Sequence, residues 1–173
     1  SVLFPLRQVF AYDTRPGVAE RYAHEMAQRF GLSAAAVPEP RDAVTSCDIV
    51  VTAGPILKQP HRTIQAGWMP EGCFTSMVDY DTYFHPEALA ELDLFCTDDE
   101  RQLRHYQAMG YFQAIPPVHA DLGELVVATK PGRTSARQRT ATANLGLALD
   151  DMAVAPLIYQ RAVEEGIGRR LPL

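Results

Sequence analysis

Short apolar runs that alternate with helix-like stretches are the feature that most limits how this chain can fold. Five runs have the length and composition of strands: residues 9–13, 32–37, 49–52, 73–78 and 94–97. Unbroken apolar runs are typical of parallel strands that are buried on both faces of a sheet. The alternation therefore predicts an α/β fold, with a doubly wound, mostly parallel sheet and helices on both of its faces.

The longest helix predicted between these strands covers residues 18–31. Apolar side chains recur every four residues at Val18, Tyr22, Met26 and Phe30, which predicts that this stripe faces the core. Gly31 is a typical helix stop. Shorter helices are predicted at residues 39–47, 87–92 and 101–109, the last of them capped by the preceding pair of aspartates at 98–99.

The first run ends in a carboxylate, Asp13, where a doubly wound sheet would bind a ligand. In Rossmann-type sheets an acidic residue at the end of the second strand holds a ribose, about 20 residues after a glycine-rich turn. No G-x-G-x-x-G motif occurs in this chain. Either the site does not bind a dinucleotide, or the first strand and its phosphate loop lie on a segment before Ser1. We favour the second alternative, a Rossmann-type sheet missing its first strand.

A missing first strand has a physical consequence, because that strand lies in the middle of the 3-2-1-4-5-6 strand order. Without it, the runs at 9–13 and 49–52 would each have an unpaired, apolar edge, and such edges associate readily. We therefore expect the chain to need a companion N-terminal segment that supplies the strand.

Asp13, Thr14 and Arg15 are the first group of candidate cofactor-binding residues. Asp13 could accept hydrogen bonds from ribose hydroxyls, and its charge favours NAD over NADP. Arg15 could reverse that preference by pairing with a 2′-phosphate. The alternative is that Asp13 only opens a turn before Pro16.

Thr52, Ala53 and Gly54 end the third run and form the second candidate group. Residues this small would let a ribose or nicotinamide approach the backbone, although a plain strand-to-loop transition explains them equally well. After the fourth run, Asp79 and Asp81 alternate and would point to one side of a continuing strand. Asp79 is the candidate catalytic residue, a buried acid/base group for a substrate amine; a turn or cap role is the alternative.

Composition excludes several classes of function. The 173 residues are 47% apolar and 21% charged, with a net charge of −5, which gives no basic surface for nucleic acid or an anionic membrane. No apolar run approaches the roughly 20 residues that a membrane span needs. The three cysteines and five histidines are scattered, which argues against a disulfide framework and a metal site. We expect a cytoplasmic protein.

The last third of the chain changes character. Residues 144–163 form a helical pattern so rich in small and apolar side chains that we expect it to be buried. Pro156 predicts a kink or a break in this helix. Asp151 is costly to bury without a partner, which favours a functional role, and a solvated helix position is the alternative.

Several stretches in order resemble the ornithine cyclodeaminase/mu-crystallin family over nearly the whole chain. They are residues 9–13, residues 43–52, the Asp-Leu-Gly-Glu of 121–124, the Pro-Gly-Arg of 131–133, and Gly146-x-Ala148-x-x-Asp151. The resemblance implies an NAD(P)-binding Rossmann domain over residues 1–143. It also implies that residues 144–173 return to a substrate and dimerisation domain, so that the protein is a homodimer.

The resemblance also implies a chemistry: hydride transfer at the α-carbon of a small amino acid or a cyclic imine. Asp79 matches the carboxylate that works near the substrate amine in cyclodeaminases, and Asp151 lies on the helix facing the nicotinamide and substrate. The neighbours of Asp79 depart from the glycine-rich family pattern. This departure weakens the expectation that the protein is a cyclodeaminase, which is a lyase, and leaves a dehydrogenase or reductase as the other possibility. The alternatives are a crystallin-like protein that binds the cofactor without turnover, and an inactive fragment that needs its companion chain.

Overall fold

The computed structural model describes residues 4–169 and residue 171 as an α/β protein. The strands are β1 (Gln8–Ala11), β2 (Ser33–Ala36), β3 (Ile49–Thr52), β4 (Phe74–Met77), β5 (Leu94–Thr97), β6 (Ala120–Asp121) and β7 (Thr140–Ala143). The helices are α1 (Val18–Phe30), α2 (Pro86–Leu89), α3 (Glu100–Ala108), α4 (Leu122–Val126) and α5 (Ala148–Glu164). The ends of the predicted domains at residues 1–3, 170, 172 and 173 lie outside the described residues.

All strand pairings are parallel. β1 and β2 form a two-stranded sheet, and the other five strands form a sheet in the order β3-β4-β7-β5-β6. The mostly parallel α/β architecture expected from the sequence is confirmed. In a parallel sheet all carboxyl ends lie on one edge, so the loops that follow β3, β4, β5 and β7 meet there.

The two sheets are separated where the strand order changes direction. Among residues 4–169, β1 pairs only with β2 and β3 pairs only with β4, so each has a second edge without a partner strand. In the 3-2-1-4-5-6 order a first strand stands between the strands that β1 and β3 represent. The two edges are thus those that the sequence predicts to be unpaired.

The central strand β7 was absent from the predicted set. Its sequence, Thr-Ala-Thr-Ala, lacks the large side chains that reveal a buried strand, yet it lies between β4 and β5 and three of its four residues are buried. The short β6 and α4 were also missed. α4 begins with a capping box in which Asp121 and Glu124 each bind the other's backbone N–H.

The predicted stripe on α1 is right for the half-buried Val18 and Met26 and wrong for its two aromatic residues, while the bounds of the helix are right to within a residue. Tyr22 and Phe30 are exposed, and the buried face carries Ala19 and Ala23. Those methyl groups let α1 pack closely on β1 and the alanine-rich β2. Gly31 ends the helix with a φ of 64°, and its N–H donates to the carbonyl of Ala27.

The helix predicted at residues 39–47 is also wrong, because this stretch is a series of turns. Its N–H groups mostly donate three residues back, as Val44 does to Arg41 and Cys47 to Val44. Val44 is nevertheless buried and belongs to the core.

The main core lies on one face of the five-stranded sheet, where it includes Val50, Met77, Phe95 and Ala141. The opposite face is partly open among the described residues, because the side chain of Val51 is 60% exposed. On the same face, Thr142 of β7 and Cys96 of β5 are buried, so the predicted cover is present over the inner strands and is lacking at the edge strand β3.

α5 is exposed rather than buried. Every residue of this helix except Ala162 is exposed, including Leu149, Leu157 and Ile158, because nothing else in the described residues packs over it. Pro156 does not end the helix, which continues to Glu164. Within the stretches that the structure covers, no helix has the length and apolar character to span a bilayer.

Candidate nucleotide site

The loops that follow β3 and β4 are tied together at the carboxyl edge of the sheet. Thr52 donates its hydroxyl to one carboxylate oxygen of Asp79 (2.6 Å), and the backbone N–H of Gly54 donates to the other (2.9 Å). Thr52 and Gly54 were predicted to line a nucleotide site, and Asp79 was predicted separately as an acid/base. The structure brings all three into one cluster.

Asp79 is fully buried in the described structure, with both oxygens engaged by the end of β3. Burial raises the pKa of this carboxyl above its usual range, and the hydrogen bonds from Thr52 and Gly54 oppose that shift only in part. The side chain can therefore hold a proton more readily than an exposed aspartate, but its present partners are protein groups.

We term residues 79–83 the brace segment. Beyond Asp79, two more of its residues form hydrogen bonds that support the loop after β3. Thr82 is buried and accepts a hydrogen bond from the backbone N–H of Leu57 (3.2 Å), while its own hydroxyl donates to the carbonyl of Asp79 (2.7 Å). Tyr83 donates its phenol hydroxyl to the carbonyl of Pro55 (3.5 Å). The brace segment thus supports the backbone of residues 52–57 at several points.

Asp81 departs from its predicted direction. β4 ends at Met77 and Tyr80 has a φ of 64°, so the strand alternation that would align Asp81 with Asp79 is interrupted. Asp81 is buried and accepts a hydrogen bond from the backbone N–H of Phe112 (3.2 Å). Burial raises its pKa as well, against that hydrogen bond. It supports the loop at Phe112, away from β3.

Asp13 follows β1 and forms a close pair with Arg15. The guanidinium donates to both carboxylate oxygens, each at 3.1 Å, and the backbone N–H of Arg15 adds a third bond at 2.8 Å. The hydrogen bond from the Arg15 side chain holds the pKa of Asp13 below its usual range. Asp13 is half-buried, while Thr14 and Arg15 are exposed. The Asp13–Arg15 pair, which we term the clasp, is therefore charged and accessible at the carboxyl end of the two-stranded sheet.

Tyr83 reaches the loop after β3. Burial is the largest cause that raises the pKa of its phenol, followed by the negative charges of Asp79 and Asp13. Its ring also lies against Gly54, where a Cβ would come within 2.6–2.7 Å of the phenol carbons. Tyr83 was not among the residues predicted from the sequence. The local signal that could have identified it is the dense polar and aromatic run after β4.

Three other acidic residues lie outside this cluster. Asp99 caps α3 through the backbone N–H of Gln102, as predicted. Asp98 instead accepts two hydrogen bonds of 2.8 Å from the backbone of Leu145 and Gly146 and so fixes the loop before α5. Asp151 lies exposed in the first turn of α5, and the described part of the chain provides no hydrogen-bonding partner for its side chain.

Residues that could hold a metal do not cluster in the described ranges. The polar groups of the site are instead those that suit a nucleoside. Asp13 offers carboxylate oxygens to hydroxyls, Arg15 offers an exposed guanidinium, and the absence of a side chain at Gly54 makes room for the Tyr83 phenol.

Comparison with known families gives one match that spans almost the whole chain. The model of the ornithine cyclodeaminase/mu-crystallin family matches residues 1–166. An alanine dehydrogenase from Archaeoglobus fulgidus is 28% identical over 98% of this chain and 53% of its own length. The chain spans about half the length of the curated relatives it matches.

Solved structures give the same picture. The Thermococcus litoralis Delta(1)-pyrroline-2-carboxylate reductase, in complex with NADH and L-proline, superposes with a TM-score of 0.76 at 25% identity, over 95% of this chain and 53% of that one. An archaeal alanine dehydrogenase dimer with bound NAD has a TM-score of 0.76 at 26% identity, over 99% of this chain and 54% of that one.

Proposed function

We propose, because the chain belongs to the ornithine cyclodeaminase/mu-crystallin family, that it is the nucleotide-binding part of an NAD(P)-dependent oxidoreductase. The observation that carries the proposal is that the Asp13–Arg15 clasp and the loop at Gly54 each follow a strand with an unpaired edge, β1 and β3, on the two sides of the change in strand order. Doubly wound sheets bind their ligands at that place, outside the carboxyl ends of the strands.

The reaction we propose is hydride transfer at the α-carbon of a small amino acid or cyclic imine. The named relatives support this class, since one is an alanine dehydrogenase and another a pyrroline-carboxylate reductase. The dinucleotide would supply or accept the hydride. This chain would hold the nucleotide so that its reactive carbon is aligned with the substrate carbon.

Within that function, Asp13 and Thr14 would bind the adenosine ribose and Arg15 would select between cofactors. In the structure Arg15 occupies both oxygens of Asp13. Ribose hydroxyls would replace the guanidinium on Asp13 when NAD binds, whereas a 2′-phosphate would draw the guanidinium toward itself. The residues at 52–54 would supply the backbone surface against which the nucleotide lies.

Two roles for Asp79 follow from its surroundings. As an acid/base, it would use its raised pKa to exchange a proton with the substrate amine. As a support, it would hold Thr52 and Gly54 in place for the nucleotide. The contacts favour the second role, because the first requires an oxygen that is now bonded to Thr52 or Gly54 to be released toward the substrate.

The assembly we propose has two further parts. A companion strand would fit between the unpaired edges of β1 and β3. A second copy of the protein would cover the exposed apolar side chains of α5, forming a homodimer like the archaeal alanine dehydrogenase dimer. Asp151, in the first turn of α5, stays a predicted contact on the nicotinamide side of that assembly.

The test uses the full-length polypeptide that carries residues 1–173. NADH and NADPH binding is measured by nicotinamide fluorescence, and turnover by the absorbance of the reduced nicotinamide with L-alanine, L-proline and cyclic imino acids. Saturable binding together with substrate-dependent turnover supports the proposal. Binding without turnover on any amino acid or imine favours the crystallin-like alternative, and no binding refutes the function.

A further inference from the structure

Tyr83 has a position that none of the roles above uses. Its backbone is fixed, since its carbonyl accepts hydrogen bonds from the N–H groups of Thr63 (2.9 Å) and Ile64 (2.8 Å). Its side chain leaves the brace segment and reaches the loop after β3, where the hydroxyl meets the carbonyl of Pro55 and the ring covers Gly54. The residue is only half-buried, so part of the ring and hydroxyl is accessible.

Three features make this phenol suited to a nucleoside. The aromatic ring offers a face against which a planar base can pack. The hydroxyl can both donate and accept a hydrogen bond, and its bond to Pro55 is long at 3.5 Å, so a better partner could replace it. The phenol contacts Gly54 and Pro55, which follow β3, a strand that flanks the change in strand order where a doubly wound sheet binds its ligand.

We infer that Tyr83, which lies against the loop at Gly54, is a binding residue for the adenosine half of the dinucleotide. This inference rests on the proposed NAD(P) function and adds a specific contact to it. The carboxyl edge of β4 thereby contributes to a site that the strand order assigns to the ends of β1 and β3. The ring of His61 lies edge-on to that of Tyr83, with the ring centroids 6.4 Å apart and the ring planes at 70°.

The experiment compares Tyr83→Phe with the unmodified full-length protein. Removing the hydroxyl leaves the ring in place and should weaken NADH binding roughly three- to tenfold, the value of one ordinary hydrogen bond. Competition with ADP-ribose should weaken by the same factor, while competition with nicotinamide mononucleotide should not change.

Tyr22→Phe is the matched control, since it makes the same chemical change on the exposed face of α1. Thermal unfolding of both variants separates a loss of contact from a loss of folding. The inference is overturned if Tyr83→Phe binds NADH and ADP-ribose as tightly as the unmodified protein, or if the nicotinamide mononucleotide affinity falls equally. If the unmodified protein binds neither NADH nor ADP-ribose, the proposed function itself has failed.

Discussion

Substitution of Asp79 separates the two roles that its surroundings allow. Asparagine at this position keeps the shape, can accept from the N–H of Gly54, and can donate its amide to the Thr52 hydroxyl. It removes the charge and the titrating proton. Alanine removes both hydrogen bonds, which measure 2.6 and 2.9 Å, and leaves their donors without this acceptor. If Asp79 supports the loop, Asp79→Asn should behave nearly as the unmodified protein and Asp79→Ala should not.

The size of the effect follows from these contacts. A hydrogen bond to a charged group contributes roughly 1.5–3 kcal/mol, and the two are not additive in full, so Asp79→Ala should lower the free energy of unfolding by about 2–4 kcal/mol. Asp79→Asn should change it by about 1 kcal/mol or less, because the loss of charged hydrogen bonds is offset by removal of the buried charge. The NADH Kd should rise about tenfold or more in Asp79→Ala, since the loop at Gly54 loses its support.

The pH dependence of stability gives an independent check on the same residue. Burial raises the pKa of Asp79 above the unfolded value of 3.8, so the folded state binds the proton more tightly than the unfolded state. The contribution of Asp79 to the free energy of unfolding is therefore fully present below pH 3.8. It is lost as the pH rises through the pKa of Asp79 in the folded state. The difference in unfolding free energy between the unmodified protein and Asp79→Asn should fall over this interval and then become constant.

Urea unfolding at a series of pH values, NADH fluorescence titration and steady-state kinetics supply the three readouts. The support role is refuted if Asp79→Asn keeps the NADH Kd of the unmodified protein while its kcat falls by about 100-fold or more. That is the loss expected when a general acid or base is removed. In that case the pH–rate profile should also lose one limb.

Three more substitutions test other parts of the molecule. Arg15→Ala should weaken NADPH binding by about tenfold and leave NADH binding equal or tighter; equal losses for both cofactors in fluorescence titrations would contradict the selector role. Asp98→Ala should lower the free energy of unfolding by about 2–4 kcal/mol, because the N–H groups that it anchors lose a charged acceptor. Asp150→Ala on exposed α5 serves as its control in urea unfolding and should have little effect. Leu157→Gln should weaken self-association by about tenfold or more in sedimentation experiments if a second copy buries that 62% exposed side chain; an unchanged association constant would argue against dimerisation through α5.

Large apolar side chains made some of the fold predictable. The strands at 49–52 and 94–97 match β3 and β5 in full, because runs such as Ile-Val-Val are typical of buried strands. β7 was not predicted because its threonines and alanines lack the large apolar side chains of a typical buried strand. They are buried because β7 lies between two other strands, β4 and β5. The aromatic part of the stripe on α1 failed for a related reason, since small alanines permit closer packing than tyrosine and phenylalanine.

The candidate site was predictable in its pieces and not in its connections. The ends of β1 and β3 were identified because polar and small residues follow apolar runs, and parallel topology places such ends on one edge. The contact between Asp79 and the residues at 52–54 spans more than 20 positions of the sequence, and no local pattern encodes it. The reach of Tyr83 to Gly54 depends on the left-handed backbone at Tyr80 and the turn that follows, which periodicity does not reveal.

The close approach of the Tyr83 ring to Gly54 also limits how this protein can vary. A side chain at position 54 would have to displace the phenol, and a smaller residue at 83 would open a gap over the loop. The two positions should therefore change together among related proteins, with residues larger than glycine at 54 accompanied by residues smaller than tyrosine at 83. Such paired replacement would be an evolutionary trace of the physical contact between the two loops.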